Sequence, residues 1–270
     1  MSEIPNRKKK SKQLKLALKI ALILLIISFF PVFAAFYIFC GILDFRRNHL
    51  WDWQTINRYF FGNGRLTWLL SPFNLFIDLI SSPNKGIYQL NDLPKAYQDE
   101  ITQLVNTFNE KNILDELKIK LAAKKRGMVF FKWYGKNIDS FLKISEFHHN
   151  FKYIKTIGVS VFNKHQSTSL HFGPLRVTLR VLYNFNPTKN DNIYIQVGKH
   201  KHHWHDNPYF IFDDTLMHKS VNESDQLRYC MFVDVIRPSN HPKLMRSIVK
   251  ALQKILLQVN NIFYKNWDFL

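Results

Sequence analysis

From Lys155 to Ile236 the chain carries six short runs rich in Val, Ile, Tyr and Phe: Lys155 to Phe162, Val177 to Phe185, Ile193 to Val197, Tyr209 to Phe212, Met217 to Val221 and Arg228 to Ile236. Clusters of Asn, Pro, Gly and Asp separate them, which is the signature of strands joined by tight turns. A series of this kind, following a helical start, predicts an antiparallel barrel or jelly roll with helices packed outside it. That helical start is Asp92 in an N-cap position and Pro94, then Ile101, Leu104, Val105 and Phe108 at helical spacing, so one face packs on the core. A second helix is expected over Ile113 to Lys124.

The ends of the chain obey different rules. Residues 1–19 hold Arg7, Lys8, Lys9, Lys10, Lys12, Lys15 and Lys19 against Glu3 alone. Ile20 to Leu43 is then free of charge, and as a helix it would extend about 36 Å. That exceeds the roughly 30 Å hydrocarbon layer, and the run is longer than the apolar region of a cleaved signal peptide. A transmembrane helix over 20–43 is therefore expected. A membrane-proximal segment over 44–82 follows, in which Pro72, Asn74 and Asp78 interrupt the apolar stretch Trp68 to Ser81 and make it interfacial or re-entrant. The main domain is expected over 83–240. Over 241–270, Leu244, Ile248, Leu252, Ile255, Val259 and Ile262 alternate with lysines and arginine in a basic amphipathic helix. That helix either lies on a bilayer, as Trp267 and Phe269 favour, or packs on its own domain.

Charge narrows the partners. With 38 Lys and Arg against 20 Asp and Glu, a net +18 favours an anionic membrane, lipopolysaccharide or nucleic acid. The apolar span and the lack of any recognisable nucleic-acid module exclude the last. Cys40 and Cys230 offer no disulfide or zinc framework, and nothing in the sequence sets the oligomeric state.

Two histidines carry the chemistry. His171 and His218 stand beside strand-like runs, and each is followed nine or ten residues later by an arginine, Arg180 and Arg228. Neutral imidazole is a nitrogen ligand for non-haem Fe(II), which typically takes two histidines and one carboxylate and leaves positions open for cosubstrate and oxygen. A guanidinium suits a dicarboxylate cosubstrate. Either histidine alone would be an ordinary core or polar residue; the pair with its arginines points to an enzyme. Asp213 and Asp214, five and four residues before His218, could be proposed as the missing carboxylate. The cluster His200 to His205 reads as an exposed hairpin, in reach of substrate phosphates, rather than a second metal site.

His171-x-Gly-Pro with Leu179-Arg180, Phe212-Asp-Asp-x-x-x-His218, Arg228, and Val233-Asp-Val-x-x-Pro238 together resemble the aspartyl/asparaginyl β-hydroxylase family of Fe(II)/2-oxoglutarate dioxygenases. The resemblance implies an α+β chain: a double-stranded β-helix (jelly-roll) catalytic domain with flanking helices behind the N-terminal transmembrane anchor. It implies His171 and His218 as Fe(II) ligands, Arg228 as partner of the distal 2-oxoglutarate carboxylate, Arg180 and Ser160 as further cosubstrate contacts, O2 as the oxidant, and a structural turn rather than a metal ligand at Asp213 and Asp214. Two positions depart from the common pattern. Leu182 stands where the family's β-hydroxylases carry a cosubstrate-binding histidine, and Gly173 stands where a facial triad would carry Asp or Glu. Water then takes the third position, as in the family's peptidyl hydroxylases, although a halide ligand and oxidative halogenation would also be permitted.

The apolar run, Ile80-Ser-Ser-Pro-Asn-Lys-Gly86, Leu90-Asn-Asp-Leu-Pro94 and Phe130-Phe-Lys-Trp-Tyr-Gly135 resemble the lipid A 2-hydroxylase branch of the same family. That branch implies hydroxylation at the 2-position of a secondary acyl chain of lipid A, or a related acylated lipid, at the bacterial inner membrane. The basic N-terminus would export a singly spanning domain by the positive-inside rule. The cytoplasmic cosubstrates favour the cytoplasmic face instead. A peptidyl hydroxylase and a non-enzymatic membrane-bound binding module are the competing readings.

Overall fold

The computed structural model describes residues 28–110, 115, 117, 126–185, 188–263 and 268–269, with 14, 18, 21 and 25 as single positions. The helices α1 (Pro31–Arg46), α2 (Trp53–Phe60), α3 (Arg65–Leu69) and α4 (Ser71–Ile80) precede the domain. Then come β1 (Ile87–Tyr88), α5 (Lys95–Glu110), β2 (Arg126–Trp133), β3 (Lys136–Asn137), β4 (Ile154–Phe162), β5 (Gln166–Ser167), β6 (Thr178–Asn184), β7 (Ile193–Val197) and β8 (His200–His203). The chain continues through β9 (Tyr209–Phe212), β10 (His218–Asn222), β11 (Arg228–Ile236), α6 (Pro242–Phe263) and β12 (Asp268–Phe269).

Among the described residues the strands form two sheets. The larger runs β1-β9-β6-β11-β4-β2-β12 with β3 on β2, and the smaller runs β5-β10-β7-β8. All pairings are antiparallel except β12 with β2. The six expected runs are strands, with Met217 to Val221 displaced by one residue. The additional strand β2 is buried from Gly127 to Trp133, so it lacks the half-polar alternation that marks strands in a sequence. The expected helix over Ile113 to Lys124 lies largely outside the described residues. Asp92 does not cap α5. Its carboxylate accepts from the Gln89 amide at 2.7 Å and closes the 3-10 turn Leu90–Asp92, while α5 begins at Lys95.

The period-2 geometry of the large sheet sorts its residues between two environments. Ile157, Val159 and Val161 of β4, Leu179 and Val181 of β6, and Met231, Val233 and Val235 of β11 face the core shared with Ile101, Leu104, Val105 and Phe108 of α5. The intervening positions face the smaller sheet. There Leu182, Cys230 and Phe232 pack with Ile193, Ile195 and Val197. Ser160, Arg180 and Arg228 belong to this inner face, where the pattern leaves polar groups among apolar ones.

Among the described residues no helix is long and apolar enough to cross a membrane. The anchor expected over 20–43 is thus not found as a spanning helix. Part of that run lies outside the described residues, and α1, with 16 residues, rises only about 24 Å. Its last turns, including Cys40, Gly41, Asp44 and Phe45, are buried. The stretch Trp68 to Ser81, expected to be interfacial or re-entrant, is helical. It forms α3 and α4, and Ile77 and Ile80 of α4 pack against Leu175, Val177 and Ile236 and against Met245 and Val249 of α6. The outer face keeps Leu69 and Leu79 exposed. The first half of α6 packs on the domain through Met245, Ile248, Val249 and Leu252, while Leu244 and Ile255 of the expected apolar stripe stay exposed.

Buried charge ties these helices down. Arg176, 1 % exposed, reaches Asp44 of α1, Asp78 of α4 at 2.6 Å and Asp213 at 3.4 Å. Arg237 donates to Asp78 at 2.5 Å, and Arg47 to Asp213 at 2.5 Å. Each guanidinium is matched by carboxylates, as burial demands. Burial acts to lower the Arg176 pKa, but the surrounding carboxylates outweigh it and hold the guanidinium charged.

Candidate active site

His171 and His218 come together across an isolated antiparallel bridge. Each backbone N–H donates to the other residue's carbonyl at 2.9 Å, so the main chain fixes how the side chains face. Their ring centroids are 4.1 Å apart. The Nδ1 of His171 lies 2.8 Å from the Ser169 carbonyl, and that of His218 lies 2.8 Å from the Leu216 carbonyl. A carbonyl only accepts, so both Nδ1 atoms carry the proton and both Nε2 atoms keep a lone pair. Burial lowers both imidazole pKa values. For His218 the neighbouring His171 adds to the effect. Two neutral imidazoles whose Nδ1 atoms are oriented by carbonyls and whose Nε2 lone pairs are free fit the requirements of a metal-ligand pair.

Among the described residues no group of three His, Cys, Asp or Glu is placed to hold a metal ion. Position 173 shows why the usual third carboxylate is absent. A Cβ there would lie 2.5 Å from the Asp214 carboxyl carbon, and the Gly173 amide donates to the Asp214 carbonyl at 2.7 Å. Asp214 thus fills the space a side chain at 173 would need. Burial raises its pKa to about 7, against the pull of Arg180, which it meets at 3.0 Å. Asp213 is structural: its carboxylate accepts the Thr215 amide at 2.9 Å and joins the Arg47–Arg176 network.

His171, His218, Arg228, Arg180 and Ser160 line one cavity between the sheets, walled by Met128, Phe162, Leu182, Ile195, Phe212 and Phe232. Arg228, 2 % exposed, donates through Nη1 to Ser220 Oγ at 2.7 Å, and its guanidinium lies 4.3 Å from the Phe162 ring centroid. Its Nε has no hydrogen-bond partner, and among the described residues it has no carboxylate partner. Burial lowers its pKa from a very high start, so it stays cationic at neutral pH. A buried cation with an orphaned donor beside two free imidazole nitrogens fits an anionic carboxylate bound next to a metal.

Arg180 is placed differently from Arg228. Its Nε and Nη2 both meet Asp234 at 3.0 Å, and it stacks 4.0 Å from the Phe232 ring. It lines the cavity with its charge balanced by Asp214 and Asp234. Ser160 donates to the Cys230 carbonyl at 3.2 Å. Sequence reasoning missed Ser220 and Thr168, although Ser220 stands two residues beyond His218 on one strand and therefore on the same face. The histidine cluster lies on β8 and the turn after it and is not wholly exposed: His200 and His205 face solvent, whereas His202, with Nε2 2.8 Å from the Asn207 carbonyl, and Trp204 are buried.

Residues 95–238, just over half the chain, match the family model described as Aspartyl/Asparaginyl beta-hydroxylase. A curated relative, the ornithine lipid ester-linked acyl 2-hydroxylase of Rhizobium tropici, is 32% identical over 90 residues, covering 33% of this chain and 32% of that protein. The chain thus spans about a third of that relative's length. Among solved structures, the TT1209 protein of Thermus thermophilus matches with TM-score 0.27 and 13% identity over 42% of this chain and 86% of that one. A 2OG-Fe(II) oxygenase family oxidoreductase from Burkholderia pseudomallei matches with TM-score 0.25 and 9% identity, covering 32% and 44%. A Trichoplax adhaerens prolyl hydroxylase, in complex with a hypoxia inducible factor peptide fragment, gives TM-score 0.27 and 15% identity, covering 35% and 47%. Likenesses this low carry no argument about fold.

Proposed function

The chain belongs to the aspartyl/asparaginyl β-hydroxylase family, and from that membership we propose that it is an Fe(II)/2-oxoglutarate-dependent dioxygenase that hydroxylates the 2-position of an acyl chain of lipid A or a related acylated lipid. That it is an enzyme of the hydroxylase class follows from the family itself. The observation that carries the finer reading is the cavity where two neutral imidazoles face a buried guanidinium without a carboxylate. The lipid rests on other support: the relative acting on an ornithine lipid acyl chain, and the exposed aromatic and aliphatic residues of α1, α3 and α4. On the same grounds the reading puts the protein at the inner membrane; the domain is assigned to the cytoplasmic face because the cosubstrates it requires are cytoplasmic. The double-stranded β-helix is the fold this reading assigns to the two facing sheets.

His171 and His218 would hold Fe(II), which with 2-oxoglutarate and O2 would supply the oxidising power to insert one oxygen into the C–H bond at the 2-position. The chain's own residues do the positioning. Arg228 pairs with the distal carboxylate of the cosubstrate, and Ser220 orients the guanidinium. Leu182, Ile195, Phe212 and Phe232 exclude water and receive an acyl segment. Arg180, held from behind by Asp214 and Asp234, forms a polar side of the chamber, whose lining offers no carboxylate.

Lipid A mass spectra from cells with and without the gene test the substrate: the expected difference is one added oxygen on a secondary acyl chain. An added oxygen on an Asp or Asn residue of a protein instead would identify a peptidyl hydroxylase. Arg228→Ala should raise the 2-oxoglutarate KM roughly 10- to 100-fold, the value of a lost charge-assisted hydrogen-bond pair. Unchanged 2-oxoglutarate dependence refutes the role of Arg228.

A further inference from the structure

A second cavity of about 420 Å³ opens beside the candidate site, and its charged lining is of one sign: Arg46, Arg47, Lys85 and Lys199, with His49 and His200 beside them and no Asp or Glu. They converge from the end of α1, the loop before β1 and the β7–β8 turn. Arg47 is matched by Asp213 and Lys85 by Asp92 at 2.6 Å. Arg46 and Lys199 have no carboxylate partner among the described residues, and both are exposed at the rim. A concave, single-sign basin focuses its field on an anion. Donors spread over three segments suit a tetrahedral phosphate with several oxygens better than one planar carboxylate, which a single arginine fork would satisfy.

Its position matters as much as its charge. Leu43 lines the cavity, and the exposed apolar surface of α1, with Phe36, Phe39 and Ile42, ends where Arg46 begins. This is the order of residues at a boundary between acyl chains and headgroups. The cavity also shares walls with the candidate site. Val197 lines it while Ile195 lines the histidine cavity, and Leu216 lines it while His218 lines the other. Two residues along a strand are only about 7 Å. A headgroup held in the basin would therefore present a carbon close to its own ester or amide linkage, not the end of the chain, to His171 and His218.

We propose that this basin binds a phosphate group on the headgroup of the lipid substrate and thereby selects the acyl carbon that is hydroxylated. The assignment rests on the lipid reading above. Its test uses the full chain in detergent micelles and the double variant Arg46→Ala/Lys199→Ala, which touches neither the histidines nor Arg228. Lipid-independent succinate formation from 2-oxoglutarate should be unchanged in the variant, reporting an intact fold and cosubstrate site. The wild-type KM for lipid A should be roughly tenfold below that for its phosphatase-treated form, a difference the variant loses, and inorganic pyrophosphate should compete only with wild type. Equal KM values without pyrophosphate competition overturn the proposal. Pyrophosphate binding with equal KM values makes the basin a site for free phosphate and overturns its headgroup role. If wild type hydroxylates no lipid, the lipid reading falls. A pyrophosphate-induced rise in melting temperature, present in wild type and lost in the variant, then still supports the phosphate site; no rise in wild type refutes it.

Discussion

At position 173 a missing side chain is required by its neighbour, because the Asp214 carboxylate stands where a Cβ would go. Restoring a facial-triad residue should therefore fail: Gly173→Asp is expected to cost about 1–3 kcal/mol through overpacking and to bring two carboxylates together. Urea denaturation checks the loss. Adding Asp214→Ala should recover part of it, and a Gly173→Asp protein as stable as wild type would contradict the packing. The family resemblance singled out His171, His218, Arg228, Arg180 and Ser160, and the fold brings all five to one cavity. Ser220 was not singled out, although its position two residues from His218 on the same strand face was available. The engagement of Arg180 with Asp214 and Asp234 could not be read from sequence, since pairing across β6 and β11 depends on register.

At the scale of elements, the helices before the domain are held by charge that a linear reading assigns to solvent. Arg176 and Asp44 are 132 residues apart in sequence, so no local pattern pairs them. The apolar stretch before Asp44 signalled a membrane segment in composition, but it gave no sign that its end would be buried in the domain. Arg176→Ala leaves Asp44, Asp78 and Asp213 without their shared cation and should destabilise the protein by about 3–5 kcal/mol, read as a lower urea midpoint. Limited proteolysis should cut first between α1 and α4. The same network shapes the acid response. Burial alone would raise the Asp213 pKa, but Arg47 and Arg176 reverse that and hold it well below the usual range. Its stabilisation is therefore complete above the unfolded value of about 3.9 and is lost as pH falls below that toward the folded value. Asp213→Asn should be less stable than wild type near neutrality, with a gap that narrows below about pH 4.

For the whole molecule, the strand order was the part of the architecture that sequence could not supply. Runs of Val and Ile announce strands, but only pairing shows that β11 lies between β4 and β6. Two surface properties then act together: a net charge of +18, and exposed apolar side chains such as Phe33, Phe36, Leu69 and Leu79. Sedimentation with anionic vesicles should show binding that weakens as salt rises from about 0.1 to 0.5 M, because screening removes the electrostatic share. A residue of binding should survive, from apolar contact. Binding that vanishes with salt would assign the attachment to charge alone.

The paired amides of His171 and His218 separate durability of the chemistry from choice of substrate. Because main-chain hydrogen bonds set the spacing of the two rings, the identities of the surrounding side chains are free to drift. Walls such as Leu182 and Ile195 can be exchanged over generations to admit other molecules while the histidine pair keeps its geometry. Specificity in this scaffold is therefore evolvable at low catalytic risk.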